Sequence, residues 1–410
     1  MKIGAVIAEY NPFHNGHQYQ LETFRRQSGL DYIIVCMSGN FTQRGEPAWM
    51  PKHLRARMAL LGGADLVIEL PVYFATGSAS IFAEGGIAHL DALGCVEELC
   101  FGCETDRPLE EHMKLLHSAA DLFVSEPDEF KQLLSLGLKQ GLSFPAARSR
   151  ALENLLDTCN ILNQPNNILA LEYMTVLKKT GSGIRPFAIK RLGQGYHSTE
   201  DSDTFASATA LRQKMTLSGL SGDIPGISSE SLHIIQENYG TCLPAQLSDF
   251  SSIFAALFMR NQEHLTDYTD INEDIANLMK KSFDRYTNLP DFLLSVKNKA
   301  FTYSRLCRCA AHLMTDQQRL LLDRSRKDGC AFYARILGFR KEAAPLLNQI
   351  KQSSKIPMIG KMSSCFDLLE GIGLEMMRAD LLASDIYRTA LQIKFGHPLK
   401  NDFRQPIVII

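Results

Sequence analysis

The chain has 410 residues, 45% hydrophobic and 21% charged, with a formal net charge of −2. That length implies two or three packed units rather than one, and the composition excludes a disordered or fibrous chain. No apolar run reaches the ~18–20 residues of a membrane span. The start MKIGAVIAEY also lacks a basic segment, an apolar segment and a cleavage site in series. The expectation is a cytoplasmic protein with no membrane partner.

The opening reads as an α/β domain. Lys2 to Ala8 is a short apolar run fit for a buried strand, followed by a loop with Pro and Gly and a polar helical stretch through Arg26. Asp31 to Met37 predicts a second strand, Leu54 to Leu61 a helix, and Asp65 to Leu70 a third strand closed by Pro71. Ser78 to Leu93 predicts a helix and Glu97 to Phe101 a fourth strand. Such alternation argues for a Rossmann-like parallel sheet with ligands beyond the carboxyl ends of its strands. From about 109 to 162 the pattern is helical, and Pro186 to Arg191 returns to the sheet, so the helices between them are an insertion.

After about residue 220 no strand alternation is evident until the tail Pro406 to Ile410, and helices such as Asp274 to Phe283 and Ser304 to Leu322 dominate. The division predicted is therefore a nucleotide-binding unit over 1–220 and a mainly helical unit over 221–410.

Charge is distributed unevenly. Between Lys297 and Lys361 lie 14 Lys and Arg against 4 acids, a local net of +10, which leaves −12 for the remainder. A basic segment in a near-neutral protein suggests a polyanion surface, because cations that neutralise phosphates release counterions; a solvated helical face is the plainer reading. The ten cysteines are sparse and irregular, and Cys100/Cys103 and Cys307/Cys309 lack the second pair or following histidines of a zinc site, so free thiols and no metal site are expected.

The residues that carry chemistry follow the first strand: Ile7-Ala8-Glu9-Tyr10-Asn11-Pro12-Phe13-His14-Asn15-Gly16-His17-Gln18-Tyr19-Gln20. A helix amino terminus presents unpaired N–H groups and a positive dipole end, and Gly16 admits a ligand close to the backbone. His14 and His17, three residues apart, share one face and can donate hydrogen bonds to phosphate oxygens. Two satisfied histidines in a turn would be the purely structural alternative. A second element, Ser207-Ala208-Thr209-Ala210-Leu211-Arg212, ends in a guanidinium whose planar fork suits phosphate, or is simply a Ser-capped helix with a surface Arg.

His-x-Gly-His after strand one, with this Ser/Thr-Arg turn, resembles the nucleotidylyl-transferase superfamily. AEYNPFHNGH (8–17), MSGNFTQRGEPA (37–48), ADLVIELPVYFATGSA (64–79), FGCE (101–104), QPNNILALEY (164–173), KRLGQGYHS (190–198) and YARILGF (333–339) sharpen the likeness to the bacterial tRNA(Met) cytidine acetate ligases. The resemblance implies an enzyme that joins acetate to ATP as acetyl-adenylate and passes the acetyl group to N4 of the wobble cytidine of elongator tRNA(Met). It further implies catalytic roles for His14, His17 and Arg212. ATP contacts are implied along Ile7 to Gln20, at Gly102, at Asn166 or Asn167, at Arg191, and at Ser207 and Thr209.

Gly102 near a strand's carboxyl end would admit adenine or ribose, while Asn166 after Pro165 equally suits a helix cap. Many transferases carry Asp where this chain has Asn11, so Mg²⁺ is expected from ATP chemistry with its ligands unassigned. Two other readings keep the motif: an adenylyl transferase or acetate ligase with a small-molecule or protein acceptor, and a non-catalytic ATP-sensing RNA-binding protein.

Overall fold

The computed structural model describes residues 1–156, 161–191, 207–218, 220 and 224–410. Five parallel strands form its centre: β1 (Ile3–Ala8), β2 (Tyr32–Ser38), β3 (Leu66–Leu70), β4 (Glu98–Cys103) and β5 (Arg185–Lys190), in the spatial order β5-β4-β1-β2-β3. Each corresponds to a predicted strand within about two residues, the usual uncertainty of an element end. Successive residues alternate between two cores on opposite faces. Ile34, Cys36 and Ile68 enter one, and Ile33, Val35 and Val67 enter the other, which explains why the strands read as unbroken apolar runs. The helices Leu109–Ser125, Asp128–Lys139 and Phe144–Leu155 form the predicted insertion between β4 and β5.

The expectation of no strand between residue 220 and the tail is corrected. Beyond β3 the sheet continues through β6 (Ala334–Phe339), antiparallel to β3, then β7 (Met358–Ile359), with β8 (Val408–Ile409) also paired to β6. Among the described residues three of eight strands thus come from the second half, and a division near residue 220 is not a division of the sheet. The remainder of that half is mainly helical.

The single helix expected over Ser304 to Leu322 is two, Tyr303–Met314 and Arg319–Lys327. The break falls at Asp316, with φ +53, where buried Gln317 leaves the helix to donate to Thr76 and Thr315 hydroxyls. Satisfying that buried amide outweighs continued helix. Among the described residues no helix is long and apolar enough to cross a membrane.

The junction between halves is sealed by a buried ionic cluster. Lys52 Nζ donates to Glu69 Oε1 (2.8 Å), Asp402 Oδ2 (3.0 Å) and Ser384 Oγ (2.8 Å). Arg335, on β6, meets Glu69 (2.9 Å) and Asp402 (2.8 Å). Although burial opposes its charge, Asp402 is held far below the usual carboxylate range by Lys52 and Arg335.

Several arginines of the +10 segment also find partners within the protein, although Arg324 and Arg326 do so at the surface. Arg308 pairs with Asp270 (2.6 Å), Arg326 with Glu84 (2.7 Å), Arg324 with Glu375 (3.1 Å), and Arg340 donates to the Leu60 carbonyl (2.7 Å). The lysines at 297, 299, 327, 341, 351, 355 and 361 are exposed. Removing one member of a buried ion cluster leaves uncompensated charge, so Lys52→Met is expected to destabilise the chain by about 3–5 kcal/mol. A lowered denaturant midpoint with an unchanged m-value checks this; an unshifted midpoint contradicts it.

Candidate active site

The turn after β1 begins with strain. Tyr10 holds φ +48, uncommon for a side chain with a Cβ. Its buried ring sits edge-on to Phe13 (4.9 Å between centroids) and tilted against His17 (4.7 Å). That aromatic bed delivers the chain to the opening helix Asn15–Ser28, whose N-cap is His14. The Gly16 N–H donates to His14 Nδ1 (3.1 Å), and the His14 N–H donates to His17 Nδ1 (3.3 Å). The two rings stack at 3.6 Å. Imidazole nitrogens here fill the reciprocal acceptor roles that Ser and Glu oxygens fill in an ordinary capping box.

This cap fixes the chemistry of both rings. Because each Nδ1 accepts a hydrogen bond, each neutral ring carries its proton on Nε2. Burial first, then the charge of Arg191, pushes His14 down to about 4. Burial, His14 and Arg191 push His17 well below its ordinary value. Two neutral N–H donors therefore stand at a positive helix end.

The expectation of unpaired backbone N–H groups at this helix mouth is corrected. Asn15 N–H donates to the Gly226 carbonyl (2.9 Å), and His17 and Gln18 N–H both donate to the His14 carbonyl (2.8 and 3.1 Å). With Gly16 N–H taken by His14, the donors on offer are side chains. The rings do cap the helix, but only through Nδ1.

Arg212 comes to the same place from the helix Ala208–Ser218. Ser207 Oγ accepts from the Ala210 N–H (3.2 Å), capping that helix. Arg212 Nη1 donates to the Asn11 carbonyl (2.6 Å) and Nη2 to Thr209 Oγ1 (3.2 Å). A positive charge distant in sequence is thus pinned to the histidine turn. The Asn11 amide faces the other way, its Oδ1 accepting from the Trp49 N–H (2.7 Å).

Gly102 and Arg191 lie at the carboxyl ends of β4 and β5. A Cβ on Gly102 would stand 3.1 Å from Arg191 Cγ, so the absent side chain lets Arg191 lie across the strand. Arg191 Nη1 donates to Asn166 Oδ1 (3.1 Å), and Asn166 Nδ2 donates to Glu104 Oε1 (2.6 Å). Asn166 does not cap its helix, which begins at Pro165 without a side-chain cap.

Asn167 is 1% exposed, and both amide atoms clamp the Glu104 backbone (3.0 and 2.7 Å), which commits it to holding the β4 exit. Gln18 and Gln20 bond within the protein, to Glu22 and Cys100. Most of KRLGQGYHS, from Leu192 onward, lies outside the described residues. All four cysteines of the two close pairs are buried free thiols, and no cluster of three His, Cys, Asp or Glu fit to hold a metal occurs among the described residues.

Sequence reasoning missed Arg55. It is fully buried and donates to four carbonyls: Glu9 (2.5 Å), Ser38 (3.0 Å), Met50 (3.1 Å) and Gly39. It thereby ties the ends of β1 and β2, and even with burial pulling it down to about 10 it keeps its charge at neutral pH. Glu9 itself is clasped by the Gln43 N–H (2.7 Å); burial raises its pKa, against the pull of that bond and of Arg44, Arg55 and Arg212.

The HIGH Nucleotidyl Transferase family profile matches residues 1–401. A tRNA(Met) cytidine acetate ligase of Thermoanaerobacter sp. (strain X514) is 38% identical over 97% of this chain and 99% of its own. The chain belongs to the tRNA(Met) cytidine acetate ligase family. The ligase of Acetivibrio thermocellus (strain ATCC 27405) is 33% identical with both chains fully covered. Among solved structures, Thermotoga maritima TmcAL bound with alpha-thio ATP superposes with a TM-score of 0.90 at 31% identity, again over both entire chains. The parallel sheet, its antiparallel extension and the helical remainder are the architecture of this ligase family.

Two predictions follow from the cap and from Arg55. Between about pH 4 and 6.5 an unfolded His14 binds a proton that the folded ring refuses, so stability rises with pH across that window and levels above it. His14→Asn, which keeps a capping oxygen, is expected to flatten part of this rise when unfolding is measured at pH 5 and 7.5; an unaltered slope would count against the buried neutral ring. Arg55→Lys cannot span four carbonyls and is expected to destabilise the chain by about 1–3 kcal/mol through the buried acceptors left unpaired, as read from a lowered denaturant midpoint.

Proposed function

We propose that the chain is an ATP-dependent ligase that activates acetate as acetyl-adenylate and transfers the acetyl group to N4 of the wobble cytidine of elongator tRNA(Met). The observation that carries this reading is the convergence of His14 and His17, neutral and Nε2-protonated, with Arg212 on one turn at the carboxyl edge of β1. The full-length likeness to ligases of that name and to an ATP-analogue complex supports the substrates.

An acetate oxygen attacks the α-phosphorus in line, a P–O bond forms, and the bond to the bridging oxygen breaks to release pyrophosphate. The Nε2–H groups of His14 and His17 donate to phosphate oxygens as charge accumulates, and Arg212 and Arg191 supply fixed positive charge on either side. Cytidine N4 then attacks the acetyl carbonyl. The bond to the phosphate oxygen breaks, AMP leaves, and N4 loses its proton.

The segment Ile7 to Gln20 forms the floor for the nucleotide, Gly102, Asn166 and Arg191 its far wall, and Ser207 and Thr209 set Arg212. Asn167 contributes from behind that wall. Magnesium would be carried chiefly by the triphosphate oxygens of ATP and would neutralise their charge; Asn11, whose Oδ1 accepts from the Trp49 N–H, is not assigned to it. Residues 1–220 carry the nucleotide chemistry, and the helical part of 221–410 receives the tRNA.

Removing a preorganised donor from such a site costs about 10²–10³ in rate. His17→Ala and Arg212→Ala are each expected to lower acetate-dependent pyrophosphate release by that factor while the circular dichroism spectrum stays native. Unimpaired release by either variant would overturn its role.

A further inference from the structure

Residues 40–48 form a tight loop, closed by Ala48 N–H to the Asn40 carbonyl (2.9 Å), Thr42 N–H to the Glu46 carbonyl (2.9 Å) and Gly45 N–H to the Thr42 carbonyl (2.8 Å). On one side Gln43 clasps Glu9 of the nucleotide turn (2.7 Å). On the other, Gly45, at φ +78, lies directly on the helix Tyr303–Met314, where a Cβ would come within 2.2 Å of Arg308 N. The loop therefore bridges the phosphate-binding turn and the helical part with no room to spare.

Beside Gly45 this contact opens into a groove of about 410 Å³ lined by Arg44, Glu46, Lys297, Asn298, Thr302, Tyr303 and Ser304. Asn298 Oδ1 is occupied by the N–H groups of Ala300 and Phe301, and Thr302 Oγ1 caps Arg305. Four groups remain for a ligand: the Arg44 and Lys297 cations, the Tyr303 ring and the Glu46 carboxylate. Among the described residues neither cation joins an ion pair, and both are exposed. Two cations suit a phosphodiester, an aromatic ring suits a base, and a carboxylate accepts from an exocyclic amine. A free phosphate would use only the first pair, and the volume is that of a nucleotide-sized site.

We propose that this groove holds a nucleotide of the tRNA anticodon loop next to the acetylated cytidine, its phosphate between Arg44 and Lys297, its base on Tyr303 and an exocyclic amine toward Glu46. The placement rests on the acetyl-transfer reading above. It accounts for a loop that touches both the nucleotide turn and the basic helix: the RNA strand crosses from the helical part over the bridge that also orients Glu9.

The full chain is assayed for acetate-dependent ATP–pyrophosphate exchange without RNA, and for acetylation of an elongator tRNA(Met) transcript at several salt concentrations. Lys297→Ala is expected to leave exchange within twofold of wild type, raise KM for tRNA several-fold, and reduce the slope of log KM against log salt by about 1. Tyr303→Ala is expected to raise that KM about tenfold or more. Unchanged KM and slope in Lys297→Ala, with a native circular dichroism spectrum, overturns the groove assignment. Absence of exchange in the wild-type chain overturns instead the acetyl-transfer reading beneath it.

Discussion

Two buried rings use one nitrogen each to finish a helix, and that single constraint determines what the site can do. With Nδ1 of His14 and His17 accepting backbone N–H groups, tautomer, stacking and ring orientation are fixed together, and burial keeps both rings neutral. A pair of imidazolium ions at 3.6 Å between centroids would repel, and a mobile pair would lose the geometry that a phosphate donor needs. The helix end therefore acts through side chains and its dipole, its first backbone N–H groups being occupied.

Around that pair the protein adds cations from remote parts of the chain. Arg212 reaches the turn from after β5, Arg191 from the end of β5 across Gly102, and Arg55 holds the turn from beneath through carbonyls alone. Each guanidinium has a distinct set of acceptors, so the turn is held at Glu9, Asn11 and the β2 exit at once. Such redundancy is what keeps a strained Tyr10 in place.

Much of this was legible before any coordinates. The five parallel strands announced themselves because both faces of the sheet are buried, making apolar runs such as DYIIVCM and DLVIEL unmistakable, and the HxGH turn followed at once. β6 was missed because ARILGF is a short apolar run among helices whose pairing partner, β3, lies far away in sequence, and periodicity carries no information about distant partners. Sequence likewise cannot reveal that the Asn167 amide clamps the Glu104 backbone through both its oxygen and its nitrogen. The summed charge of the basic segment also counts arginines that face Asp270, Glu84, Glu375 and Glu69, pairings that lie far apart in sequence and that a charge count does not register. Arg55 offered no signal at all, since a lone arginine in an amphipathic helix is ordinarily a surface residue.

The antiparallel closure of the sheet has a bearing on synthesis. β3 emerges from the ribosome long before β6, with roughly 260 residues between Leu70 and Ala334, which at about 5–20 residues per second leaves its outer edge bare for tens of seconds. Throughout that interval the outer edge of an apolar strand carrying Glu69 lacks both β6 and Arg335. An unpaired edge of this kind is a template for wrong pairing, and the sheet is completed only late in translation.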